Sequence, residues 1–178
     1  MELGSGTGYF TTFMLGQNPD YQITCIDKSP EMLEMARRKK ELSGCTFIEG
    51  DITTGLPEGT FDGVVTTLTL HHIPDNSREK LIREIYQKLN PEGCFICGDV
   101  FKPEQDWIES IYRSRWKNHM RETGMPEDQI RETVSGRENA WPFLDTMHGF
   151  YRKIKNAGFK RILVPFTYDM SGVMIGWK

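Results

Sequence analysis

The feature that most constrains this chain is its opening, Glu2-Leu3-Gly4-Ser5-Gly6-Thr7-Gly8-Tyr9-Phe10, an acid and three alternating glycines ahead of an apolar run. Glycine is needed where the backbone takes positive φ or passes within contact distance of a ligand. The stretch predicts a short strand, a tight turn and a helix start, whose unpaired N–H groups face whatever occupies the turn. A dinucleotide-binding turn, G-x-G-x-x-G, is the obvious alternative. It would place its third glycine at position 9, which is Tyr9. A carboxylate at Glu2 also repels phosphates and attracts an ammonium. Both departures favour a nucleoside ligand carrying a cation over a pyrophosphate.

The chain downstream reads as alternating helices and strands. A helix over about 9–15 is ended by Gly16 and Asn18-Pro19-Asp20. A strand over 21–26 is closed by Asp27, about 23 residues beyond Gly4, the length of one βαβ unit. An acid at the tip of that strand is where one carboxylate would accept from both hydroxyls of a ribose. Ser29-Pro30-Glu31 opens a second helix with an N-cap, a first-position proline and an acid in the first turn. Met32, Leu33, Met35 and Ala36 give it an apolar face as far as Leu42. A third strand over 46–49 leads into Gly50-Asp51-Ile52. A fourth, over 61–66 and buried on both faces, runs into Thr67-Leu68-Thr69-Leu70-His71-His72.

A helix over 77–89 with Leu81, Ile82, Ile85 and Leu89 on one face stops at Asn90-Pro91-Glu92-Gly93, and a fifth strand spans 94–99. Between 101 and 144 the period changes. Polar helices over 104–121 and 127–134 read as an insertion, about 102–144, roofing a cleft. A helix over 145–156, ended by Ala157-Gly158, precedes strands over 161–166 and 172–177, an antiparallel pair. Strands separated by helices imply an α/β fold with a doubly wound, mostly parallel sheet in one domain, 1–178.

Against 25 acidic residues stand 22 basic ones, a net charge of −3 that disfavours a dominant nucleic-acid or membrane-surface role. Arg113, Lys117 and Arg121 share a helix face at i, i+4, i+8, with Arg115 pointing elsewhere and Glu104, Asp106 and Glu109 offsetting them. That face is read first as solvated; a nucleic-acid contact is possible but not favoured. No apolar run of about 18 residues predicts a membrane span, and no cleavable leader precedes the turn. Cys94-Phe95-Ile96-Cys97 has redox or metal spacing, but residues three apart on a strand point to opposite faces. With Cys25 and Cys45 they read as apolar strand cysteines of a reducing, cytoplasmic protein. His71-His72, with only Asp75 nearby, offers too few donors for a metal site, and none is expected. The pair would line an active-site mouth, supply a base, or shape a strand-to-loop turn.

Taken together, Glu2-Leu3-Gly4-Ser5-Gly6-Thr7-Gly8, Asp27, Gly50-Asp51-Ile52, Phe61-Asp62 ahead of a β-branched strand and Leu70-His71-His72 resemble class I S-adenosylmethionine-dependent methyltransferases over nearly the whole chain. The resemblance implies a Rossmann-like, seven-stranded, mostly parallel sheet with an antiparallel C-terminal strand, S-adenosylmethionine as cofactor, and methyl transfer. It implies a cofactor set of Glu2, Gly4, Ser5, Gly6, Asp27, Lys28, Met32, Asp51, Ile52 and Thr67. In it, Asp51 faces the adenine amino group and Ile52 packs on the ring. A sulfonium methyl needs alignment and exclusion of water more than acid–base help. An oxygen or nitrogen acceptor benefits from a base, and His71 or His72 is the candidate. The expected acceptor is a small molecule. The alternatives are a tRNA-modifying member of the same fold and a non-catalytic nucleoside-binding module. Only Met1-Glu2-Leu3 precede the glycines, where the family has most of a strand and a helix. The first strand is therefore expected to be truncated, with residues upstream of Met1, another segment or a neighbouring chain completing it.

Overall fold

The computed structural model describes the backbone of residues 1–178 and the side chains of all but residues 137–140 and 142. Its centre is a seven-stranded sheet in the order β3-β2-β1-β4-β5-β7-β6. The strands are β1 (Glu2–Leu3), β2 (Thr24–Asp27), β3 (Thr46–Glu49), β4 (Phe61–Thr67), β5 (Leu89–Val100), β6 (Arg161–Tyr168) and β7 (Ser171–Trp177). Strands β1 to β5 pair in parallel, and β7 lies antiparallel between β5 and β6. The order reverses between β1 and β4, and ligands of open α/β sheets bind at the carboxyl edge of such a switch point. The doubly wound expectation holds, with the C-terminal strand reversed as the pattern implied.

Each helix is placed by recognisable signals. α1 (Tyr9–Gln17) starts from Gly8, whose φ of 73° only glycine adopts without strain. α2 (Pro30–Arg37) is capped by the Ser29 hydroxyl, which accepts from Met32 N at 3.2 Å. α3 (Asp75–Lys88) buries Leu81, Ile82 and Ile85 against the sheet, joining Leu3, Val64, Phe95 and Met174 in the main apolar cluster. α4 (Asp106–Glu122) and α5 (Glu127–Ala140) share a smaller cluster of Met120, Ile130 and Val134. α6 (Met147–Ala157) is capped by Thr146 and ended by Gly158 at φ 120°.

Several boundaries differ from the sequence expectation. α2 ends at Arg37 and not at Leu42, with a separate 3₁₀ turn over Lys40–Leu42, and α3 begins at Asp75 and not at 77. β2 begins at Thr24, because Tyr21 and Gln22 are exposed ahead of it. β5 begins at Leu89, since Asn90-Pro91-Glu92-Gly93 forms a bulge and not a stop: Phe61 pairs with Leu89, and Gly63 already with Cys94. α5 continues past Ser135-Gly136 to Ala140. β6 extends to Tyr168 around Pro165, which an edge strand tolerates at the register shift between Leu163 and Phe166. β1 has two residues, as expected, paired with Cys25 and Ile26 on one side and Val65 and Thr66 on the other. Beyond it the Met1 amino group donates to Gly63 O at 2.8 Å. All four cysteines are free; Cys25 and Cys97 are buried, Cys45 and Cys94 half-buried.

Candidate active site

The glycine turn lies at the carboxyl edge, between β1 and α1. Gly4, Gly6 and Gly8 all have positive φ, 68°, 53° and 73°. The turn is pinned from the neighbouring strand: Gly4 N and Ser5 N donate to Ile26 O at 2.8 and 3.0 Å. Gly6 N donates to Asp27 Oδ2 at 2.7 Å, and Ser29 N to Asp27 Oδ1 at 2.9 Å. Asp27 thus sits half-buried between the turn and the start of α2, with further lone pairs on both oxygens. The three glycines have separate duties. A Cβ on Gly4 would fall 2.3 Å from Thr69 Oγ1, and one on Gly8 2.4 Å from Leu42 Cδ1. One on Gly6 would meet only Met32 Sδ, at 3.6 Å. Gly6 therefore faces a groove, with Met32 on its far wall and 46% exposed.

The other expected cofactor residues differ in exposure and bonding. Lys28 is exposed beside Asp27. Asp51, exposed just beyond β3, accepts at Oδ1 from Thr53 N (2.8 Å) and Thr53 Oγ1 (2.7 Å), bonds that hold its carboxyl below the usual range. Ile52 is 8% exposed and belongs to the main apolar cluster. Thr67 ends β4, its carbonyl accepting from Thr69 Oγ1 at 2.9 Å. Glu2 differs most from expectation. It is 1% exposed beneath the turn and takes the Thr11 hydroxyl of α1, while burial pushes its carboxyl up to about 7. Ser5 is also buried, and its Oγ finds no hydrogen-bond partner. An orphaned hydroxyl beside the open face of Gly6 and the Asp27 carboxylate suits a ribose-bearing ligand.

Next to this groove lies a cavity of about 850 Å³, lined by Leu68, His71, His72, Trp116, Leu144 and Met170 among others. His71 occupies the single 3₁₀ turn Leu70–His72 after β4. Its Nδ1 lies 2.6 Å from Asp99 Oδ1 on β5. Asp99, 4% exposed, also accepts from Leu70 N (2.8 Å), His71 N (3.3 Å) and Val100 N (2.8 Å). A carboxylate is an acceptor only, so this contact calls for a proton on His71 Nδ1, and in the neutral ring Nε2 is then the hydrogen-bond acceptor. The His72 ring lies tilted against that of His71, centroids 3.8 Å apart at an interplanar angle of 46°, and burial with the neighbouring His71 lowers its pKa. Among the described residues no group of three or more His, Cys, Asp or Glu side chains is placed to hold a metal ion.

Asp99 was missed from sequence; its signal was an acid at the tip of the strand next to the histidine turn. Arg115, Trp116 and His119 line the cavity, whereas Arg113 bonds Glu109 and Arg121 bonds Glu127.

A doubly wound sheet with a glycine turn and an acid at its switch point defines a nucleoside-binding α/β protein. The family described as methyltransferase domain matches residues 1–97. An uncharacterized methyltransferase of Oceanobacillus iheyensis is 35% identical over 171 residues, covering 91% of this chain and 71% of the relative. A carboxy-S-adenosyl-L-methionine synthase of Nautilia profundicola is 28% identical over 181 residues, covering 100% of this chain and 76% of the relative. Among solved structures, human N-acetylserotonin methyltransferase in complex with S-adenosylmethionine superposes with a TM-score of 0.68 at 18% identity, over 99% of this chain and 46% of that one. The chain spans about half the length of the first solved structures it matches. It belongs to the class I S-adenosylmethionine-dependent methyltransferase family.

Proposed function

We propose that the chain transfers the methyl group of S-adenosylmethionine to a hydroxyl or amine of a small molecule held in the 850 Å³ cavity. The observation that carries this is His71 in the cavity wall, its Nδ1 backed by the buried Asp99 carboxylate. When bound, the cofactor supplies a methyl on a sulfonium, activated without acid help. The chain's part is to bind, align and dry the reactants. Gly6, Asp27 and the Ser5 hydroxyl hold the ribose end, Met32 packs beside it, and Asp51 and Ile52 take the base. His71 Nε2 accepts the proton from the acceptor, and Asp99 keeps the imidazole in that tautomer and stabilises the imidazolium that results. α4 and α5 act as a cap over the acceptor. Four free cysteines fit a reducing, cytoplasmic setting.

A second reading keeps the cofactor and changes its use. Full coverage of the chain by a carboxy-S-adenosyl-L-methionine synthase supports carboxylation of the nucleoside's sulfonium methyl: a carboxylic-acid donor gives up its carboxyl group to the methyl carbon and takes the proton that carbon loses. One experiment tests both: incubation with methyl-labelled S-adenosylmethionine and a panel of phenols, quinols, amines and carboxylic acids, with mass analysis of both products. Transfer of label to an acceptor, lost by about 10²–10⁴-fold in His71→Ala, supports the first reading. A carboxylated nucleoside supports the second. Undiminished transfer by His71→Ala would overturn the base assignment.

A further inference from the structure

Among the described residues Arg78 is the bulkiest fully buried side chain, 2% exposed on a helix face whose other buried residues are Leu81, Ile82 and Ile85. A buried guanidinium is tolerated only when its donors are satisfied. Here Nε donates to Leu70 O at 3.0 Å and Nη2 to Ile73 O at 2.7 Å. Those two carbonyls bracket His71 and His72. The same turn is held through its N–H groups by Asp99, so two buried charges grip it from opposite polarities of the backbone.

The other arm of Arg78 reaches the place where the cap rejoins the sheet. Nη2 donates to Phe143 O and Nη1 to the Asp145 carboxylate. The opposite end of the cap arrives at the same point: Lys102 N donates to Asp145 O at 2.9 Å, and Lys102 bridges in parallel to Thr146. Lys153 and Asp75 complete the ionic cluster around Asp145. One side chain therefore binds the histidine turn and the returning end of the segment that walls the acceptor cavity, and the outgoing end at Lys102 is bonded to that same Asp145.

We infer that Arg78 is a positioning residue, coupling the placement of the His71 ring to the seating of the α4–α5 cap. This rests on His71 being the base, as proposed above. Coupling requires a shared element with two arrangements, and a guanidinium that links four acceptors on two segments cannot follow one segment without straining its bonds to the other. Arg is suited to this and Lys is not, because only the planar fork spans acceptors in several directions.

The test uses the full chain, with S-adenosylhomocysteine as the probe ligand, ¹⁵N-histidine NMR and amide hydrogen exchange. Arg78→Lys and Asp145→Asn are compared with the parent. Asp145→Asn leaves the Arg78 bonds to Leu70, Ile73 and Phe143 in place and alters the cap end alone. Both variants are expected to bind S-adenosylhomocysteine as the parent does. Both should lose the slowly exchanging Nδ1 proton of His71, with amide exchange rising by about tenfold or more at 70–73 and 143–146 together, as expected for loss of a charged hydrogen bond. Once an acceptor is identified, kcat should fall with the cofactor KM unchanged. Loosening of 143–146 with the His71 proton and residues 70–73 unmoved would overturn the coupling. Loss of S-adenosylhomocysteine binding in both variants would overturn it as well, since the cluster would then carry the fold and not the base. Neither readout needs turnover, so an inactive preparation still decides the coupling, while His71→Ala decides the base.

Discussion

Glu2 is a carboxyl with 1% of its surface exposed, bonded to the Thr11 hydroxyl between the first strand and the first helix. Desolvation there outweighs the favourable hydroxyl bond and raises its pKa from the ordinary 4.5 to about 7. The fold therefore prefers the protonated acid. That contribution to stability is complete below about pH 4.5 and is lost as pH rises to about 7. A shift of this size corresponds to about 3 kcal/mol, at roughly 1.4 kcal/mol per pH unit. The buried Met1 amine is shifted down and titrates in the opposite sense, so the parent must be read against Glu2→Gln, which keeps an acceptor for Thr11. Thermal melts of both from pH 4.5 to 7.5 should converge in acid, with the parent falling progressively below the variant as pH rises. Parallel curves would show that Glu2 titrates normally.

At the scale of the turn, the three glycines look alike in sequence and differ in the fold. Gly4 and Gly8 have no room for a Cβ because Thr69 and Leu42 already fill it. Gly6 has room, and the space belongs to the groove. All three also have positive φ, which costs a side chain about 1 kcal/mol or more. Gly4→Ala should thus be a folding lesion, lowering stability by about 2–4 kcal/mol through strain and overpacking. Gly6→Val should cost stability less and abolish S-adenosylhomocysteine binding, with helical content retained by circular dichroism. Equal melting temperatures and equal affinities for the two variants would remove the distinction.

This contrast marks what the sequence could reveal. The turn, the acid at Asp27, the alternation of strands and helices and the histidine turn were legible because each depends on local chemistry: positive φ, capping, periodicity. Asp99, Arg78 and Asp145 depend on which strand tips and loops become neighbours. Arg78 did leave a trace, a charge at i relative to Leu81, Ile82 and Ile85 on an apolar stripe. A buried cation needs anions from elsewhere in the chain, and nothing local says which ones. Glu2 shows a further limit: its residue type suggested ligand contact, and its burial beneath the turn, bonded to Thr11, could not be read from the sequence.

For the whole molecule, the switch point divides the carboxyl edge into two compartments. The β1–β3 side carries the glycine turn, Asp27 and Asp51. The other carries the cavity, walled by α4 and by the β6–β7 hairpin, where Arg115 reaches Asp169 at 3.0 Å and lies over the Tyr168 ring. Leu68 and His71, just beyond β4, line the cavity, and His71 is bonded to Asp99 on β5. If cofactor and acceptor occupy separate compartments, substitutions in one should leave binding in the other alone, since sites without shared partners behave additively. Asp27→Ala removes a charged partner of Gly6 N and Ser29 N and should weaken S-adenosylhomocysteine binding by about 1.5–3 kcal/mol, read by calorimetry. Arg115→Ala should leave that affinity unchanged. Its half-exposed ion pair contributes at most about 1 kcal/mol to stability, so the variant should fold normally and raise KM for the acceptor alone. Weakening of S-adenosylhomocysteine binding by Arg115→Ala to the extent seen for Asp27→Ala would mean that the cap closes over the nucleoside, and that the two compartments are one.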